Sequence, residues 1–256
     1  MNLSFKEYGE GFPLIILHGL FGMGDNWASL ARKFGEHFLT FTPDLRNHGR
    51  SDHLPEMDYN SMAGDVRALM ENQWIHESYI MGHSMGGKVA MKLALEYPDK
   101  VKKLVVVDIA PKTYQAGHDE IFEAMRSLNL GSAEDRKSLE ASLHTRIPDF
   151  GIVQFILKNI VFDKRLEKYQ WRMNLDAIYE NYDNILKGID ASTTFDGPAL
   201  FISGSNSRYI KQNDHDLIKK IFPAARIEVV EGAGHWVHAD KPTELFDLVT
   251  QFLSED

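Results

Sequence analysis

A mainly parallel β-sheet with helices on both faces, interrupted by an inserted helical cap, is the fold class predicted for this 256-residue chain. Three observations predict it. Short runs that are apolar throughout, such as Leu14–Leu17 and Leu104–Val107, alternate with stretches of helical periodicity, as strands covered on both faces should. That alternation stops near Lys112 and returns near Asp196. Between the first strands and the break, Tyr79–Gly87 reads as an apolar strand that enters a Gly-x-Ser-x-Gly turn and leaves it as a helix.

In chain order, Leu3–Tyr8 alternates apolar and polar residues like a half-exposed edge strand, and Gly9–Pro13 turns the chain. The strand Leu14–Leu17 runs into the Gly-rich loop His18–Gly22, whose backbone N–H groups can point into a site. A helix over Asn26–Phe34, a strand over Phe38–Thr42 and a loop over Asp44–Ser51 follow, then a helix over Met62–Met70. After the Ser84 turn, Val89, Leu93 and Tyr97 recur at helical spacing until Pro98 stops the helix. The β-branched strand Leu104–Val107 ends at Asp108.

From about Lys112 to Asp196 the sequence shows helical periodicity and no convincing strand. One face carries Ile121, Phe122, Met125 and Leu128; a second segment carries Phe155, Ile156, Ile160 and Val161; a third carries Leu175, Ile178, Tyr179 and Tyr182. Strand and helix then alternate again through Ala199–Ser203, Gln212–Ile221, Arg226–Val230 and Thr243–Leu253. The expected organisation is one discontinuous core, residues 1–111 and 196–256, with residues 112–195 inserted as a helical cap.

Composition narrows the function. A formal charge of −9 repels phosphate backbones and anionic lipid, so neither nucleic acid nor a membrane surface is expected as partner. The chain has no cysteine and hence no thiolate chemistry, and it contains no H-E-x-x-H pattern, so no metal or other cofactor is expected. Met1–Tyr8 lacks the basic start and apolar run of a secretory signal, and no run of eighteen apolar residues occurs, which predicts a cytoplasmic location.

The chemistry centres on Ser84. A hydroxyl is a weak nucleophile and needs an imidazole base, itself oriented by an acid. His235, in the small-residue loop Gly232–Trp236, is the expected base, with His238 the alternative. The order serine, acid, histidine requires the acid to lie between the other two. The loop Gly204–Tyr209 after the penultimate strand has no carboxylate, and Asp214 belongs to the following helix, so Asp108 is the expected acid. Asp44 precedes the serine, and its loop reads as structural. The oxyanion needs two donors: the N–H of Met85 and an N–H from the His18–Gly19 loop, that of Leu20 or alternatively of Phe21. His18 and His48 read as loop-holding histidines.

These motifs, His18-Gly19, Gly82-His83-Ser84-Met85-Gly86 and Gly234-His235, resemble those of the α/β-hydrolase superfamily over nearly the whole chain. The strings Asp44-Leu45-Arg46-Asn47-His48-Gly49 and Asp108-Ile109-Ala110-Pro111, with His118–Phe122 and Gly234–His238, are similar to the YbfF-type esterases. The resemblance implies an α/β-hydrolase fold and hydrolysis of small acyl esters or thioesters through an acyl-enzyme, with the acid at Asp108. It also implies that Ser207, where other hydrolases keep their acid, hydrogen-bonds into the triad. Carbon-carbon bond hydrolysis by the same triad and a non-catalytic ligand-binding protein on the same fold are the alternatives.

Overall fold

The computed structural model describes residues 1–190 and 192–255. In chain order the first half builds β1 (Phe5–Tyr8), β2 (Pro13–Leu17), α1 (Ala28–Phe34), β3 (Leu39–Pro43), α2 (Tyr59–Asn72), β4 (Ser78–His83), α3 (Met85–Glu96) and β5 (Val101–Val107). The segment expected as an insertion, between β5 and the next strand of the sheet, builds α4 (Asp119–Arg126), α5 (Arg136–His144), α6 (Phe150–Leu157), β6 (Ile160–Asp163), β7 (Lys168–Trp171), α7 (Leu175–Glu180) and α8 (Tyr182–Leu186). The chain then returns through β8 (Ala199–Gly204), α9 (His215–Ile221), β9 (Ala225–Val230), α10 (Val237–Asp240) and α11 (Pro242–Ser254).

Seven strands form one sheet in the order β1-β3-β2-β4-β5-β8-β9. Only the edge strand β1 runs antiparallel. The continuous apolar runs follow from burial on both faces: Ile15, Leu17, Ile80, Leu104 and Val106 pack with α2 and α3 residues, while Leu14, Ile16, Met81, Val105 and Val107 pack toward α1 and α11. Side chains alternate between the two faces, so both faces of a central strand are mainly apolar. All parallel strands point their carboxyl ends the same way, and the loops leaving β2, β4, β5 and β8 therefore meet along one edge.

The segment 112–195 departs from the all-helical expectation. Ile160 and Val161 do not continue the α6 stripe; they begin a two-stranded antiparallel hairpin in which Ile160 faces Trp171 and Phe162 faces Tyr169. The reason lies in the residues. Ile160, Val161, Phe162, Tyr169 and Trp171 are β-branched or aromatic and favour a pleated surface, and the Phe162 and Tyr169 rings meet across the pair at 5.1 Å. Ile160 falls four residues after Ile156, so a strand start imitated the next turn of a helix. The expected helix over Met62–Met70 is longer than its apolar stripe, because the Asp58 side chain accepts the Ser61 N–H and starts α2 at Tyr59. Asp214 lies in a single turn, Gln212–Asp214, before α9 rather than within it. Among the described residues no helix is long and apolar enough to cross a membrane.

Candidate active site

Ser84 sits between β4 and α3 with φ 54° and ψ −121°, a conformation that a side chain makes unfavourable. The neighbours hold it there. A β-carbon on Gly82 would overlap the Gly86 carbonyl, and one on Gly86 would overlap the Leu17 carbonyl oxygen, so both positions require glycine. The Ser84 N–H donates to the Val107 carbonyl at 3.0 Å, fastening the turn to the end of β5. The sharp turn leaves the hydroxyl on the carboxyl edge of the sheet.

The structure brings Ser84, His235 and Asp108 into one line. His235 Nε2 lies 3.0 Å from Ser84 Oγ, and His235 Nδ1 lies 2.7 Å from Asp108 Oδ2. With the proton on Nδ1, the imidazole donates to the carboxylate and Nε2 accepts from the hydroxyl, the tautomer a general base needs. Asp108 is fully buried, and its two oxygens accept three hydrogen bonds: from His235, from Ser207 Oγ at 2.5 Å and from the Gly204 N–H at 3.2 Å. β8 lies beside β5, which is why the Ser207 loop reaches the end of Asp108's strand. Asp214 is occupied elsewhere, accepting from Lys112 Nζ at 2.5 Å and from the Lys211 N–H at 2.8 Å. Asp44 accepts from the N–H groups of Gly24 and Arg50 and braces its own loop.

Two residues that the sequence reading passed over touch the imidazole. The Tyr209 ring stacks on His235 with centroids 3.8 Å apart and planes 17° from parallel, so its π face lies against any positive charge that forms there. His83 Nε2 donates to the His235 carbonyl at 2.8 Å and holds the loop. Tyr209 lies two residues from Ser207, in a loop whose sequence signals were a missing carboxylate and that serine, and His83 is one of the two variable positions of the Gly-x-Ser-x-Gly motif. His238, the alternative base, instead stacks on Trp27 at 4.3 Å, and burial lowers its pKa to about 3.

The oxyanion candidates also have distinct positions. The Phe21 N–H is taken, donating to His48 Nε2 at 3.2 Å. No hydrogen bond within the described residues uses the N–H of Leu20 or of Met85. The Gly19 carbonyl accepts from the Gly22 N–H at 2.9 Å and from His18 Nδ1 at 2.8 Å. Because the peptide is planar and trans, pinning that carbonyl turns the Leu20 N–H the opposite way. A β-carbon on Gly19 would stand 3.2 Å from the Ser84 β-carbon, so this loop abuts the serine. His18 Nε2 accepts from the Leu45 N–H at 2.9 Å, which requires a neutral ring with its proton on Nδ1. Burial enforces that state, lowering His18 to about 4 and His48 to about 3.

A cavity of about 950 Å³ opens beside Ser84 and His235. Its walls are mainly apolar, with Ile109 from the core and Ile121, Ile152, Phe155 and Ile156 from the insertion. Lys88, one turn beyond Ser84 on α3, also reaches it; its side chain is buried and its Nζ donates to the Leu186 and Lys187 carbonyls. Desolvation lowers Lys88 to about 7.

Comparison with known proteins places this architecture. A family profile described as alpha/beta hydrolase fold matches residues 13–242. The chain is 39% identical to the sn-1-specific diacylglycerol lipase ABHD11 of Mus musculus, over 94% of this chain and 80% of that protein. It is 37% identical to esterase YbfF of Escherichia coli, over 95% of this chain and 93% of the relative. Among solved structures, a marine microorganism esterase superposes with a TM-score of 0.95 at 42% identity, covering 98% of both chains.

Proposed function

The chain belongs to the α/β-hydrolase family, and on that premise we propose that it is a serine hydrolase of carboxylic esters or acyl thioesters. The observation that carries the reading is the hydrogen-bonded line from Ser84 through His235 to Asp108, at the mouth of an apolar cavity and beside two free N–H groups. Ser84 Oγ attacks the acyl carbon while His235 Nε2 takes its proton. The carbonyl oxygen becomes an oxyanion that accepts from the N–H groups of Leu20 and Met85, each worth about 2.7–4 kcal/mol in the transition state. His235 then protonates the departing alcohol or thiol, leaving Ser84 acylated. Water, deprotonated by the same nitrogen, attacks the acyl-enzyme; the bond to Ser84 Oγ breaks, His235 returns the proton to Oγ, and the acid is released.

Asp108 orients His235 and stabilises the imidazolium, Ser207 and the Gly204 N–H hold the carboxylate, and residues 112–195 act as a cap whose apolar wall receives the acyl chain. The names of the relatives, an esterase and a lipase acting on diacylglycerol, fit acyl esters with a hydrocarbon chain as the substrate class. The test is labelling by a fluorophosphonate, which modifies only an activated serine. Labelling of the parent protein and its loss in Ser84→Ala, with parent-like circular dichroism, is the expected result. Ester turnover by Ser84→Ala near the parent rate would overturn the mechanism.

A further inference from the structure

The loop that carries Leu20 contains a residue under strain, and the insertion supplies part of what holds it. Phe21 sits at φ 59°, in the left-handed region that a β-carbon disfavours. Such a conformation persists only where the surroundings over-determine it. The Phe21 N–H donates to His48 in the core. Its ring meets Phe122 of α4 edge-on at 5.1 Å. Its carbonyl accepts a 2.7 Å hydrogen bond from Asn159 Nδ2, at the foot of the insertion's hairpin.

Asn159 is a poor choice for packing alone. The residue is fully buried, and its Oδ1 meets no donor among the described residues. A buried amide with an orphaned oxygen is unfavourable unless its other half is needed. Turning the amide over would set two acceptors face to face, so the Phe21 carbonyl fixes its orientation. The backbone of Asn159 is anchored independently. Its carbonyl accepts from the Arg172 N–H at 2.7 Å, and its N–H donates to the Ile156 carbonyl at 2.9 Å.

Resting on the reading of Leu20 as an oxyanion donor, we propose that Asn159 is a positioning residue for hydrolysis: it clamps the Phe21 carbonyl so that the turn keeps presenting the Leu20 N–H to the oxyanion. The two sides of that turn have different anchors. The Gly19 carbonyl before Leu20 is held by core residues, His18 and Gly22, whereas the Phe21 carbonyl after it is held from the insertion. The oxyanion site is therefore complete only while the insertion is seated. Asn159 acts through Leu20, so its loss weakens the transition state more than substrate binding and falls on kcat rather than on KM.

Asn159→Leu tests the clamp, because it nearly preserves shape while removing the donor and the orphaned oxygen together. With a short aryl ester, kcat should fall about 10- to 100-fold, somewhat less than deletion of a whole oxyanion donor. KM should stay within about threefold, and the melting temperature within about 5 °C of the parent. Adding Phe21→Gly should return part of the lost kcat, since glycine adopts the left-handed conformation without penalty. A packing role predicts the reverse, because the ring is then lost as well. Parent-like kcat in Asn159→Leu, or a double variant slower than the single one, overturns the proposal. If Asn159→Leu does not fold, Asn159→Asp sets an acceptor where the donor stood; the same loss of kcat is expected, and parent-like kcat again overturns it. Fluorophosphonate labelling of the parent separates the two levels: without labelling at Ser84 the hydrolase reading and the clamp both fall, whereas labelling with parent-like kcat in both variants removes the clamp alone.

Discussion

At Asp108 the carboxylate is buried and accepts from an imidazole, a hydroxyl and a backbone N–H, so its lone pairs are matched to donors that fix its orientation toward His235. Asp108→Asn keeps the shape but offers its own N–H groups or a weaker acceptor to His235, which favours the wrong tautomer against Ser84. The expected loss is about 10⁴-fold in kcat, as when other triads lose their acid. Ser207→Ala removes one donor of three and leaves the acid in place, so a loss of about 10-fold is expected, the worth of one hydrogen bond to a charged group. Asp214→Asn should leave kcat within a few-fold, since that carboxylate serves Lys112 and Lys211. Steady-state kinetics on one ester ranks the three, and a greater loss in Asp214→Asn than in Asp108→Asn would mean the acid is misassigned. Sequence order and the missing carboxylate in Gly204–Tyr209 pointed to Asp108, and the fold brings that carboxylate to within 2.7 Å of His235 Nδ1. Tyr209 was not legible in the same way: stacking on His235 depends on how the loop after β8 lies over the loop after β9.

Among the elements, the Ser84 turn is an elbow at which β4 and α3 approach closely, and Gly82 and Gly86 mark the contact. Gly86→Ala would force a methyl into the backbone carbonyls of Leu17 and His18, neither of which can rotate aside. A destabilisation of about 1–3 kcal/mol is expected, as for other overpacked sites, with loss of fluorophosphonate labelling as Ser84 shifts. Gly64 on α2 offers the contrast, because a β-carbon there meets nothing within 4 Å. Gly64→Ala should stabilise by about 0.5–1 kcal/mol through helix propensity alone. Urea midpoints check both, and equal shifts would show that the elbow is looser than its geometry. The same contrast explains which elements could be read from sequence. Strands buried on both faces write uninterrupted apolar runs, and the elbow writes its glycines. The hairpin Ile160–Trp171 has strands of four residues, with partly exposed side chains and a start that falls in helical register with α6, so periodicity had too little length to tell strand from helix.

Across the whole molecule, neutral histidines are buried in the walls of the site (His18, His83, His238) and behind its Phe21 loop (His48), and this sets how the fold responds to acid. Burial lowers His18 to about 4 and both His48 and His238 to about 3, and it lowers His83 well below its ordinary value. The sign follows from proton counts. Well above pH 6.5 these rings are neutral whether the chain is folded or not, and they make no pH-dependent difference. As pH falls from 6.5 toward 4 or 3, the unfolded chain takes up protons that the folded chain refuses, so stability is lost over that window. Each such ring contributes a slope of up to about 1.4 kcal/mol per pH unit. Even with relaxation around the rings, the four together should remove at least about 2 kcal/mol between pH 7 and pH 5.5. That interval lies above the ordinary carboxylate range, near 4, so loss there separates the histidines from acid-broken ion pairs such as Arg46–Asp65. Urea unfolding at pH 7, 6 and 5.5 measures it directly. A flat profile would mean that the rings are already protonated in the folded chain, and then His18 could not accept the Leu45 N–H that fastens its loop to the sheet edge.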